Sequence, residues 1–114
     1  MSLSPMIPPG TVLALPSLIS PTEQGISSRV LAKTSGGSLT LFAFDQGQGL
    51  TEHTSPFDAL VMTLKGRLTI TVAGAPVTGT PGTLVRLPAD VPHAVDAPEA
   101  SRMLLVMLRD LPAA

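Results

Sequence analysis

Gly47-Gln-Gly-Leu-Thr-Glu-His53-Thr-Ser55-Pro-Phe-Asp-Ala59-Leu-Val-Met-Thr-Leu-Lys-Gly66 and, downstream, Pro81-Gly82-Thr-Leu-Val-Arg-Leu-Pro88-Ala-Asp90-Val-Pro-His93 are the two most informative runs of this chain. Between them they hold both histidines of the protein. Lys65-Gly66 separates two apolar runs and suits a tight hairpin, because glycine reaches positive φ at no steric cost. Proline followed by glycine, as in Pro81-Gly82, suits the two central positions of a type II turn. Both runs therefore read as strand, turn, strand.

Working outward, strand-like segments recur at close spacing over residues 28–34, 38–44, 50–53, 58–64, 67–72, 83–87, 93–97 and 102–108. Ser35-Gly36-Gly37 and Gly74-Ala75-Pro76 supply further turns. No segment shows apolar residues at helical spacing with caps, and twelve prolines work against long helices. The fold class is all-β, a sandwich or barrel. Residues 1–27 read as an extended N-terminal arm and residues 28–114 as the barrel. Within the arm, Thr11-Val-Leu-Ala-Leu15 reads as a short strand that could be exchanged into a partner's sheet.

Periodicity separates the strands. Arg67-Leu-Thr-Ile-Thr-Val72 alternates, with Leu68, Ile70 and Val72 on one face. Asp58–Leu64 and Met103–Leu108 are apolar on both faces and need cover on both sides. One face fills a barrel; the other asks for another layer or another subunit. With charged residues at only 13%, that surplus points to a homodimer.

The length of 114 residues and 44% apolar content fit one folded domain with one core. Net charge is −1, without a basic cluster, and Tyr and Trp are absent. Both observations argue against a nucleic-acid partner. The absence of cysteine excludes disulfides, thiolate ligands and thiol nucleophiles. No run is long and apolar enough to suggest a membrane partner, and no secretory leader is legible, so a cytoplasmic location is the expectation.

Residues 38–108 resemble the cupin superfamily, in its small single-domain conserved-barrel (cupin 2) form. Its first motif, G-x5-H-x-H-x3,4-E-x6-G, finds Gly47, His53 and Gly66 at the right intervals. The second, G-x5-P-x-G-x2-H-x3-N, finds Gly82, Pro88 and His93. The resemblance implies a jelly-roll, or double-stranded β-helix, barrel, commonly dimeric, with a pocket between the sheets. Metal-binding cupins commonly use three histidines and a glutamate. Here Ser55 stands at the second histidine position and Ala59 at the glutamate; Asp90 and Ala97 replace the inner Gly and the Asn. The ligand set is incomplete.

His53 and His93 have two readings: neutral, hydrogen-bonded pocket residues, or ligands of a divalent metal such as Zn, Ni, Mn or Fe. Glu52 adjoins His53 but points to the opposite face of a regular strand, and Asp58 meets the same parity problem. Arg86 reads as solvated or as a partner for an anionic ligand. Phe44, Phe57, Met62 and Met107 are candidates for apolar pocket walls beside His53, Ser55 and His93. A hydrolase triad built on Ser55 lacks a nucleophile elbow. Two functions follow from this reading. One is binding of a small organic molecule in the barrel without a tightly held metal. The alternative is a metal-dependent oxygenase, decarboxylase or isomerase using His53 and His93.

Overall fold

The computed structural model describes residues 6–109. Among them nine strands form: β1 (Ile26–Thr34), β2 (Gly37–Phe44), β3 (Gly49–His53), β4 (Asp58–Lys65), β5 (Leu68–Val72), β6 (Ala75–Gly79), β7 (Leu84–Leu87), β8 (His93–Asp96) and β9 (Ser101–Leu108). A five-stranded sheet in the order β1-β2-β9-β4-β7 faces a four-stranded sheet in the order β3-β8-β5-β6. All seven pairings are antiparallel. This is the all-β fold expected from the turn chemistry, in the jelly-roll form that the cupin resemblance implies.

The turns behave largely as their residues dictate. Gly66, at φ 80, turns the chain between β4 and β5, but the two strands lie in different sheets and do not pair, so the turn is a crossing between sheets and not the expected hairpin. Gly82, at φ 87, occupies the turn in which the Thr83 N–H donates to the Thr80 carbonyl at 3.0 Å. Between β5 and β6 the reversal falls on Ala73 and Gly74, at φ 51 and 81, one residue earlier than Gly74-Ala75-Pro76 suggested. Both central residues are left-handed, as a two-residue hairpin loop of type I′ demands.

β6 has no counterpart in the sequence reading. Ala75-Pro76-Val77-Thr78-Gly79 looks like turn chemistry, yet it pairs with β5 from Leu68↔Gly79 to Val72↔Ala75. It is the edge of its sheet, where a proline without an N–H is tolerated.

The two-faced strands build two cores. Ala59, Val61, Leu68, Ile70, Val95, Met103 and Phe44 pack between the sheets. On the outer face of the five-stranded sheet, Leu31, Leu41, Ala43 and Leu104 form a second cluster with Met62, Leu64 and Val106. Its cover is the chain's own arm: Ile7, Leu15, Leu18 and Ile19 pack onto it. Arg29 donates to the Leu18 carbonyl at 3.3 Å and Arg102 donates to the Pro16 carbonyl, pinning the arm down. Much of the apolar surface that suggested a second subunit is therefore covered within the chain.

Thr11–Leu15 forms no strand; a 3-10 turn at Leu15–Ser17, with Pro16 in its first turn, follows instead. Proline's fixed φ and missing N–H favour that turn over a ladder. Residues 1–5 of the expected arm and 110–114 of the expected barrel lie outside the described residues. No helix among those described is long and apolar enough to cross a membrane.

Candidate functional site

The two histidines approach each other through a register irregularity. β3 pairs with β8 at Leu50↔Val95 and again at His53↔His93, so three steps on β3 match two on β8. In a regular strand Leu50 and His53 would point to opposite faces. The extra residue, at Thr51-Glu52, turns both toward the same side, as a β-bulge does. Leu50 packs on the inner core while His53 reaches His93 at the end of the barrel.

The rings meet edge to face, with centroids 4.4 Å apart, and the two Nε2 atoms are 3.2 Å apart. His93 is buried, at 5% exposure, whereas His53 is exposed. The pair thus has one sealed side and one open side. His53 Nδ1 lies 2.7 Å from the Thr51 carbonyl oxygen and His93 Nδ1 lies 3.0 Å from that of Val91. A carbonyl oxygen can only accept, so each Nδ1 carries the proton and donates. In the neutral rings both Nε2 atoms are then acceptors, 3.2 Å apart. That arrangement is satisfied by a proton donor or a cation between them.

Divalent metal meets this geometry only in part. Zn–N bonds of about 2.0–2.1 Å place two nitrogens of one ion roughly 2.9–3.4 Å apart, and the Nε2 separation falls in that span. The histidines fit as two ligands. The rest of the set does not: Ala59 is a buried methyl in the core, and the Ser55 hydroxyl accepts the Phe57 N–H at 3.2 Å. Among the described residues no group of three or more His, Cys, Asp or Glu side chains could hold a metal. These residues do not build a tight all-protein site.

The remaining candidates divide. Asp58 accepts hydrogen bonds from the Ala89 N–H at 3.1 Å and from Arg86 at 3.0 Å. Those two donors, the amide first, hold its carboxyl below the usual carboxylate range. Asp58 and Arg86 therefore clamp the start of β4 to the strand and loop beside it, and neither joins the histidines. Glu52 is exposed on the bulge. No hydrogen bond joins Ser55 to either histidine among the described residues, which leaves the triad without its base.

Phe44 is fully buried and stacks on Phe42 at 6.1 Å inside the barrel. Met62 must be corrected. It lies on the opposite face of β4 from Ala59 and Val61, in the cluster beneath the arm, so it does not line the barrel. The middle of the barrel is filled by Phe44, Leu68, Ile70, Met103 and Val95. Space lies instead at the end of the molecule that carries the β1–β2 hairpin. Two clefts of about 270 and 250 Å3 open there; Met107 lines both and Phe57 the second.

Asp90, at the motif's inner glycine position, has φ 63. The position needs left-handed backbone, which glycine adopts freely and aspartate tolerates. Its N–H donates to the Ser55 carbonyl at 2.7 Å, tying the loop before His93 to the loop after His53. Sequence reading missed the bulge, which leaves no compositional mark on Thr51-Glu52.

Two facing antiparallel sheets with a histidine pair at one end are the architecture that the cupin resemblance implies. The chain belongs to the Cupin 2 family of cupin domains, whose family model matches residues 40–108. It is similar to a conserved protein of unknown function from Streptococcus pyogenes, at 33% identity and TM-score 0.88 over 98% of each chain. A cupin superfamily protein from Desulfitobacterium hafniense matches at 28% identity and TM-score 0.85, over 96% of this chain and 100% of that one. A Cupin 2 conserved barrel domain protein from Leptotrichia buccalis matches at 33% identity and TM-score 0.80. That match covers 83% of this chain and 46% of the other. No curated protein sequence matches the chain.

Proposed function

We propose that this cupin binds a small organic molecule at the open end of its barrel, anchored at His53 and His93, without a tightly bound metal. One observation carries the reading: two Nε2 atoms 3.2 Å apart, with both Nδ1 atoms committed to carbonyl acceptors. A ligand hydroxyl or N–H donating between them satisfies lone pairs that otherwise repel. The histidines supply orientation for such a ligand.

Mass spectrometry of material extracted from protein purified without chelator tests this. The expected result is a co-purifying organic molecule that is lost in both His53→Ala and His93→Ala. Near-stoichiometric Zn, Ni, Mn or Fe, lost in the same variants, would overturn it. That outcome favours the second reading, a metal-dependent oxygenase, decarboxylase or isomerase, which the Nε2 separation also suits. There His53 and His93 would be the two protein ligands, and the metal would supply Lewis acidity or redox chemistry.

A homodimer belongs to the same proposal. The low charged fraction supports it, as do Val12, 98% exposed, and Leu84, 55% exposed.

A further inference from the structure

The second cleft, of about 250 Å3, is lined by neither histidine. It lies between the β1–β2 hairpin and the end of β9, and its walls are of two kinds. Phe57 and Met107 are apolar, whereas Lys33 and Arg109 are cationic, with the hydroxyls of Ser35 and Ser38 beside them. Among the described residues no carboxylate lines it. Among the described residues, the ion pairs are Arg67–Glu99 and Arg86–Asp58, so neither Lys33 nor Arg109 meets an acidic partner there.

Arg109 is placed rather than loose. Its N–H donates to the Gly36 carbonyl at 2.9 Å, and its guanidinium carbon lies 4.6 Å above the centroid of the Phe57 ring. A guanidinium stacked on an aromatic face keeps its N–H edge free for two parallel hydrogen bonds to a carboxylate. The hairpin wall is fixed too. The Met107 carbonyl approaches Gly37 so closely that a Cβ could not fit. The cleft therefore joins an oriented cation, a second cation and a flat apolar surface in a volume suited to a small molecule.

We propose that this cleft binds a small organic acid, its carboxylate paired to Arg109 and Lys33 and its hydrocarbon body against Phe57 and Met107. The proposal stands apart from the histidine site, since it uses none of those side chains.

Benzoate is a suitable probe and benzamide its neutral counterpart, each titrated into the 15N-labelled full chain and followed by NMR. Benzoate is expected to shift the amides of Gly36, Gly37 and Ser38, and benzamide to bind about tenfold more weakly or not at all. R109Q is expected to weaken benzoate about tenfold and K33Q several-fold. R67Q, beyond the β4–β5 turn at the far end of the barrel, removes the same charge and leaves affinity unchanged. Equal binding of benzamide, or benzoate affinity that survives in both R109Q and K33Q, would overturn the proposal. So would shifts confined to another surface, or none up to about 20 mM benzoate. Unchanged amide dispersion in the variants identifies any loss as loss of binding rather than of fold.

Discussion

At His53 and His93 the chemistry is set by the far side of each ring. Because Thr51 and Val91 offer only carbonyl oxygens, both Nδ1 atoms are donors and both Nε2 atoms are left to accept. Two other residues show how tightly single positions are specified. Ala73 is held at φ 51, where a Cβ is unfavourable. Ala73→Gly is therefore expected to stabilise the protein by about 0.5–1 kcal/mol, read as a higher urea midpoint at unchanged slope. Asp58 has a carboxyl held below its ordinary value of 3.8 by the Ala89 amide and by Arg86. Its contribution is present above that value and fades as pH falls through the lower, folded one. Asp58→Asn is expected to lower stability at neutral pH, with the gap to the parent protein closing below pH 3.8. A gap that stays constant across denaturation curves at successive pH values would contradict this.

At the scale of elements, β3 and the arm carry the most consequence. The bulge at Thr51-Glu52 is what places His53 beside His93. Deleting Glu52 removes the extra residue, so Leu50 and His53 stand two steps apart on one face of a regular strand and His53 stays opposite His93. Retention of the co-purifying ligand, with the β-sheet circular dichroism unchanged, is the expected outcome, and its loss would mean that the bulge itself shapes the site. The arm covers the outer core through Ile7, Leu15, Leu18 and Ile19. Ile19→Ala is expected to cost about 2–4 kcal/mol, because Ile19 is 8% exposed over a packed cluster. A cost near zero in chemical denaturation would mean that the arm does not seal this face in solution.

Across the whole molecule, how much could be read from sequence depended on whether a feature has a residue signature. Turns do: Gly66 and Pro81-Gly82 marked chain reversals, though each passes the chain to the other sheet instead of closing a hairpin, and two-faced apolar patterns marked β4 and β9 as strands covered on both sides. β6 does not, because Ala75-Pro76 reads as turn chemistry and only edge position makes it a strand. The histidines were legible as a spaced pair, but their contact depends on a bulge that any residues could form. The Lys33–Arg109 cleft joins residues at opposite ends of the barrel sequence, and nothing local marks it. Oligomeric state belongs to this scale as well. A dimer mass in light scattering at micromolar concentration is expected, and a monomer mass would remove the case for exposed Val12 and Leu84 as contact residues.

The most direct measurement is long-range 1H–15N correlation NMR of the two imidazoles, in protein stripped of ligand and metal. The expected result is the Nδ1–H tautomer for both rings, with Nε2 of each as the acceptor. An Nε2–H tautomer on either ring would mean that the paired acceptors do not exist, and with them would go the anchor on which ligand binding rests.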